Sequence, residues 1–358
     1  MSESTAISDD EATAPAAPES APDAASTDGA RSASSSGFEA HWFSPRRIGA
    51  IYLWIAIIIL FSILEPDLFL SDQTLHGIAN SYSISGIAAL AILVPLAAGV
   101  FDVSVGATMT LVGIVVAKLL GETTYPTWLI IVIGLACGVG VGLLNSLVVV
   151  VLRIPSLIGT LAVLGVVEAL AVGVSDNQIL SSTRLSGDFS RDVVATQIEG
   201  FTRPVFYVLI IMVILGLLLE QTQVGRFIYA AGFNAPAARL AGLRVKGLQT
   251  GAFMLGGLIA GFAGLVLAAQ VSSASPGSGA PYLLPAFAAV FLGATQFRDL
   301  RFNAWGTVVA VFMLGTGQYG LLLVGAPRWM PDVFQGVALV VAIAITQFGG
   351  RERQTSGV

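Results

Sequence analysis

WLIIVIGLACGVGVGLLNSLVVVVL, residues 128–152, runs for 25 residues without an acid or a base, and Asn145 and Ser146 are its only strongly polar members. As a helix it would be about 37 Å long at ~1.5 Å per residue, enough to cross a hydrocarbon core of roughly 30 Å. A stretch of this kind belongs in lipid. Gly134, Gly138 and Gly142 fall on one face of it, and Gly257 and Gly261 repeat the spacing in a later apolar stretch. Small residues at this interval let two helices approach closely. Packing inside one subunit is the commoner use of such a face, and contact between two copies is the other.

Working outward on the same ruler of about 17 to 25 residues per crossing, the apolar segments are Ile48 to Leu64, Ile78 to Ala98, Ser104 to Leu120, Trp128 to Leu152, Pro155 to Val174, Pro204 to Leu219, Gly247 to Gln270, Pro281 to Thr295, Trp305 to Val324 and Pro331 to Gln347. The expected fold is therefore an all-α polytopic membrane protein of about ten transmembrane helices. The eighth segment is short and contains Pro285, so a re-entrant segment is its alternative. Composition agrees: 55% of the 358 residues are hydrophobic and 11% charged, where a soluble domain carries about a quarter charged.

The net charge of −5 comes from one place, since residues 1–40 hold eight of the 22 acids and a single base, Arg31. Rich in Ala, Ser, Pro and Asp, this stretch has too little apolar surface to offset the entropy of ordering and reads as a disordered acidic tail. It lacks a basic region followed by an apolar one, so no cleaved signal peptide is expected; the first crossing follows Arg46 and Arg47 instead. With the N-terminus inside, Arg31, Arg46, Arg47, Arg153, Arg226, Arg239, Arg244, Lys246, Arg298, Arg301, Arg351 and Arg353 face the cytoplasm, and Lys118, Arg184, Arg191, Arg203 and Arg328 face out. A split of twelve to five follows the positive-inside rule. The transmembrane domain then spans 45–348, with an extracytoplasmic loop at 175–203, a cytoplasmic loop at 220–247 and a cytoplasmic tail at 349–358. The lone Cys137 can form no intrachain disulfide and reads as core packing.

GFNAPAARLAGLRVK, residues 232–246, is the only long polar and basic passage between two apolar blocks. Asn234 is a good N-cap, Pro236 suits a first turn, and Gly242 supplies a stop after Ala237 to Leu240. A helix this short needs a surface to lie on. An ordinary cytoplasmic loop and a docking element are both compatible with these residues.

Ionisable groups at membrane depth are costly and mark candidate sites; Asp102 and Glu168 qualify. Asp102, in GVFDVSVG, follows a helix end near Gly99, where it or Ser104 would cap the next helix; a solute ligand is the alternative. Glu168, in LAVLGVVEALA, must face the bundle interior or a wet cavity. Asn145, Ser156 and Thr160 bracket the turn between the fourth and fifth segments, where they would bond helix to helix or line a polar route. The chain contains no G-x-x-x-x-G-K-[ST] loop, no H-E-x-x-H pair and no G-x-S-x-G elbow, so ATP binding of the usual kind, zinc peptidase chemistry and Ser-type hydrolysis lack their residues. Few buried charges leave proton-coupled transport little to work with. Transport driven by a separate ATPase fits these exclusions.

Several stretches together resemble the membrane permeases of bacterial ABC importers of the ribose and xylose type, the carbohydrate uptake transporter-2 permeases. Asp102, Ser104, Val105 and Gly106 match their GIDLSVG signature. Asn145, Pro155, Ile158, Thr160 and Leu161 match an Asn, a short basic turn and P-x-x-I-x-T-L. Gly232, Asn234, Ala237, Ala238, Arg239, Gly242 and Val245 match G-x-N-x-x-A-A-R-x-x-G-I-x-V, and the later glycines follow the closing pattern. The resemblance implies a type II-like importer bundle, present as a homodimer or related pair in the bacterial inner membrane, and fed by an extracytoplasmic solute-binding protein. It also implies that the loop around Asn234 to Val245 docks as a coupling helix on an ABC ATPase subunit. The chain itself would need no cofactor and catalyse nothing, with ATP used by the partner. Asp102, Ser104, Asn145, Thr160 and Glu168 are the path candidates. A monosaccharide is the expected cargo; nucleosides or another small polar solute, and an ATPase-independent facilitator, are the alternatives.

Overall fold

The computed structural model describes residues 49–296 and 301–355, with side chains over 51–296 and 301–344. The acidic stretch 1–40, Arg46, Arg47, Arg298 and the side chains of the tail at 349–358 lie outside the described residues. The elements in order are α1 (Gly49–Leu64), α2 (Pro66–Phe69), α3 (Asp72–Ala97), α4 (Val105–Glu122), α5 (Thr127–Ser146), α6 (Ser156–Ser175), strands β1 (Gln197–Ile198) and β2 (Phe201–Thr202), α7 (Arg203–Gln221), α8 (Gln223–Phe233), α9 (Ala235–Leu240), α10 (Val245–Val271), α11 (Leu283–Ala294), α12 (Ala304–Leu323) and α13 (Met330–Thr355). The architecture is all-α and polytopic. Among the described residues seven helices are long and apolar enough to cross a membrane, namely α3, α4, α5 with the π-helical turn that extends it to Val151, α6, α7, α10 and α12; shorter apolar helices cover Ile51–Leu64, Ala280–Ala294 and Met330–Ala344.

The bundle is built around α3 and α10. Of their most apolar windows 78% is buried, against 28% for α5 and α6 and 33% for α7, so the last three turn much of their surface outward. Helix α10 packs on α3, α4 and α5, and α3 also meets α7, α11 and α12. The glycines explain how α5 comes so close to α10. A methyl group on Gly138 would strike the Gly257 carbonyl, one on Gly257 would strike that of Gly138, and Gly142 lies against the Phe253 carbonyl. Backbone meets backbone along this seam. The glycine face read from the sequence is thus used within one chain.

Two boundaries differ from expectation. Helix α3 begins at Asp72, about a turn and a half before Ile78, because the Ser71 hydroxyl accepts the Thr74 N–H at 3.2 Å and carries the helix through a polar first turn. Helix α11 has 12 residues, about 18 Å, and is preceded by a 3₁₀ turn at Ala280–Tyr282. Its shortness has a cause in the loop before it. That loop dips into the bundle, where the Gly279 N–H donates to Thr110 Oγ1 at 2.9 Å and its backbone rests on Gly106 in the first turn of α4.

The two ends are distinct. One carries the α4–α5 connection and the loop at 176–202: Arg184 donates to the carbonyls of Thr123 (2.7 Å) and Tyr125 (2.8 Å), and Leu180 pairs with Ala274. The β1–β2 hairpin is pinned there by Asn80, which donates to the Gly200 carbonyl and accepts from the Thr202 N–H. The other end carries α8, α9 and the turn between α3 and α4.

Candidate functional site

The first site is the break between α3 and α4. Pro95 sits in the last turn of α3, and Gly99 at φ +77° turns the chain out of the helix in a conformation that disfavours other residues. The chain then runs without regular secondary structure to Ser104, and Asp102 lies within it at 2% exposure. One carboxylate oxygen of Asp102 accepts three hydrogen bonds, from the Ser104 N–H (2.9 Å), the Ser104 hydroxyl (2.6 Å) and Asn145 Nδ2 of α5 (3.2 Å). Asn145 Nδ2 also donates to Ser104 Oγ at 2.7 Å. The two acceptors on that side fix the orientation of the amide, and Asn145 Oδ1 is left buried without a partner among the described residues. From α6, Thr160 Oγ1 accepts the Val103 N–H at 3.2 Å and donates to the Ser156 carbonyl at 2.8 Å.

Four of the five path candidates therefore share one buried knot tying α4, α5 and α6 to the broken end of α3. Capping works differently from the expectation. Ser104 stands at the N-cap position of α4 without a side-chain cap bond, and Asp102 takes the Ser104 N–H itself. Glu168 stands apart, eight residues or about 12 Å further along α6. It is half-buried and makes no hydrogen bond or ion pair among the described residues.

The second site is the segment α8–α9. Thr222 Oγ1 caps α8 by accepting the Gly225 N–H at 3.1 Å, and Asn234 Oδ1 caps α9 by accepting the Ala237 N–H at 3.0 Å, with Pro236 in the first turn. Gly242 at φ +84° closes α9, with its N–H bonded to the Arg239 carbonyl and that of Leu243 to Ala238. Ala238 and Val245 face inward and form a small cluster with Ala231. Ala237 and Arg239 are exposed, and so are two large apolar side chains that sequence reasoning passed over, Phe233 at 95% and Leu240 at 91%. Their place as large apolar residues at either end of a short capped segment that is otherwise polar and small was the available signal.

Gly232 joins the two sites. Its backbone rests on the Ala97 carbonyl and on Gly99, so that a methyl on either glycine would overlap the other strand of chain. Only Val100 and Phe101 separate that contact from Asp102. A second anchor holds α8 against the segment leading into α12: Tyr229 donates its hydroxyl proton to the Phe302 carbonyl at 2.6 Å, and the Arg301 guanidinium lies 4.4 Å above the Tyr229 ring. Helix α8 thus touches both the α3–α4 break and the segment leading into α12.

Among curated proteins, the chain is 29% identical over 313 residues to the L-arabinose ABC transporter permease protein AraH of Azospirillum brasilense, covering 87% of this chain and 91% of that one. It is 29% identical to the ribose import permease protein RbsC of Bacillus subtilis, over 84% of this chain and 92% of its relative. The L-arabinose transport system permease protein AraH of Escherichia coli is 29% identical over 90% of this chain and 98% of its own length. No solved structure matches. Residues 74–343 match the family described as branched-chain amino acid transport system / permease component, and the chain belongs to that family of membrane permeases.

Proposed function

We propose that the chain is the membrane-spanning subunit of an ATP-driven ABC importer that moves a monosaccharide delivered by an extracytoplasmic binding protein. One observation carries the reading: Phe233, at the end of α8, and Leu240, at the end of the capped helix α9, are both exposed, and α8 is seated through Gly232 on the turn that holds Asp102. Exposed apolar side chains of this size on a polar, basic segment suit a protein partner, and the partner is an ABC ATPase. Two copies of the chain, or one copy and a related permease, stand on two ATPase subunits. Ten crossings with both termini in the cytoplasm put α8 and α9 on the ATPase side of the inner membrane, in accord with the basic loops. The arabinose and ribose permeases that align along most of the chain support a sugar as cargo.

Closure of the ATPases pushes α9. Residues Gly232, Asn234, Ala237, Ala238, Arg239, Gly242 and Val245 keep that helix capped, anchored and stiff, so the push reaches Gly99 rather than being absorbed in the loop. There it biases two arrangements of the α3–α4 break, and alternating access follows as a shift between them. Asp102, Ser104, Asn145 and Thr160 line the inner end of the route, and Glu168 faces it further along α6.

The test is ATP-dependent uptake of labelled D-ribose, L-arabinose and D-xylose by vesicles carrying the complete transporter, with a matched pull-down of the ATPase. Phe233→Asp and Leu240→Asp should abolish ATPase retention and uptake while leaving the melting temperature of the purified chain within about 2 °C, since both side chains are exposed. Sugar flux through the isolated chain in liposomes without nucleotide would refute the proposal in favour of a facilitator.

A further inference from the structure

A second group of buried polar side chains lies away from the knot, between α3, α11, α12 and α13. Ser85, Gln318 and Gln335 are 7%, 7% and 5% exposed. Gln318 Nε2 donates to Gln335 Oε1 at 2.7 Å and to the Pro331 carbonyl at 3.3 Å. That leaves Gln318 Oε1, Gln335 Nε2, Ser85 Oγ and the Tyr82 hydroxyl without a hydrogen bond among the described residues. All four residues line one small chamber beside Pro285. It lies toward the loop-bearing end opposite α8, since Gln318 is near the end of α12, and Gln335 and Pro285 are near the starts of α13 and α11.

The bond between Gln318 and Gln335 ties α12 to α13, but it does not use the four groups left over. An unsatisfied amide or hydroxyl inside a membrane bundle is unfavourable, and an apolar side chain of similar volume would fill the space without that cost. We propose that the chamber is a solute subsite for a neutral polyhydroxyl compound. This rests on the importer reading above and adds to it the residues that contact the cargo. The free groups comprise one amide donor, one amide acceptor and two hydroxyls that both give and take. A sugar carries hydroxyls that likewise donate and accept, so vicinal pairs match the neighbouring amides. No acid or base lines the chamber. A zwitterionic amino acid would have to leave its ammonium and carboxylate there without counter-charges, which burial penalises far more than it does a neutral hydroxyl.

The chamber holds about 10 Å³, room for a single water, so this conformation is the shut one. Its walls are built to part. Helix α12 presents Gly315 to the flat ring of Tyr82 and Gly317 to that of Phe334, so on both sides a smooth ring lies on bare backbone, without interlocked side chains to unpick. Separation of α12 and α13 from α3 at this end would widen the chamber toward the loops that face the binding protein.

The experiment uses the complete transporter in membrane vesicles, with D-ribose, L-arabinose, D-xylose and L-leucine as probes. Ser85→Ala is expected to lower the sugar moved per ATP hydrolysed about three- to tenfold, the loss typical of one neutral hydrogen bond, and Gln318→Leu to lower it further. Stimulation of ATP hydrolysis by the loaded binding protein should stay within about twofold of wild type, a readout that a misfolded variant would lose. Independently, Ser85→Cys in a Cys137→Ser background should react with a small methanethiosulfonate during turnover, with protection by the transported sugar and none by leucine. Unchanged sugar transport in both transport variants, no labelling in any nucleotide state, or equal protection by leucine each overturns the subsite. Wild-type sugar uptake alongside such a result leaves the importer reading standing; a wild-type complex that moves leucine and no sugar overturns both.

Discussion

Gly232→Ala tests the link between the two sites most directly. The new methyl group would overlap the Ala97 carbonyl and crowd the Gly99 N–H, so α8 must retreat by roughly 1 Å to restore ordinary contact. Overpacking of this size costs about 1–3 kcal/mol. That cost falls on the state in which α8 is pressed against the α3–α4 turn, and a coupling energy of about 1–3 kcal/mol corresponds to a factor of about 5 to 150. Phe233, Leu240, the Asn234 cap and the Gly242 turn are untouched. The ATPase should therefore still bind and hydrolyse ATP, while the sugar moved per ATP falls at least fivefold. Parallel measurement of phosphate release and sugar uptake reads this ratio. Gly251→Ala, where an added methyl meets nothing within 4 Å, is the control and should leave it unchanged. A Gly232→Ala complex that couples as wild type does would refute transmission through this contact. Loss of ATPase binding would refute it too, because docking would then depend on a residue that does not face the partner.

Two further outcomes follow from the packing. Asp102→Ala removes the acceptor of three hydrogen bonds and strands the Ser104 N–H in a buried place, while Asn145 keeps its bond to Ser104 Oγ, so it should destabilise the chain by about 2–3 kcal/mol; Asp102→Asn, which keeps one acceptor oxygen, should cost about 0.5–1 kcal/mol, and thermal unfolding in detergent separates the two. Gly138→Ala should lower the melting temperature by several degrees because α5 must back away from α10. Gly140→Ala, with nothing within 4 Å of the added methyl, should leave it level or slightly raised.

The helices were legible because lipid removes every other solution for a polypeptide backbone. An apolar run must satisfy its own N–H and C=O groups, so run and helix coincide to within a few residues for α4, α6, α7 and α12. Local chemistry was legible as well: Asn234, Pro236 and Gly242 act at short range, and each does what its type does at that position. The polar start of α3 was missed because Asp72 to Gly77 looks like loop until Ser71 is known to cap it. What pattern could not supply was contact between distant glycines. Gly99 and Gly232 are 133 residues apart, and their meeting is a property of two backbones that leaves no mark in side-chain chemistry. Gly279 on Gly106 is a second case, and it accounts for the short α11. Asp102, Ser104, Asn145 and Thr160 were recognisable one by one as polar residues at membrane depth. Their union depends on α5 and α6 both crossing the α3–α4 break, which only the packing reveals. Gln318 and Gln335 were passed over because they sit beside glycines, Gly317 and Gly336, that draw attention to packing.

The central place of α3 and α10 also bears on how the protein is made. The middles of these helices are separated by roughly 170 residues, which a ribosome adding about 5–20 residues per second needs on the order of ten to thirty seconds to supply. Throughout that interval α3, with its serines and Asn80, is in the membrane without the helix that will cover it. It must be sheltered by the insertion machinery or by the early α3–α4–α5 contacts until α10 arrives. Substitutions that make α3 more polar should accordingly reduce yield through degradation of unfinished chains, even where the completed transporter tolerates them.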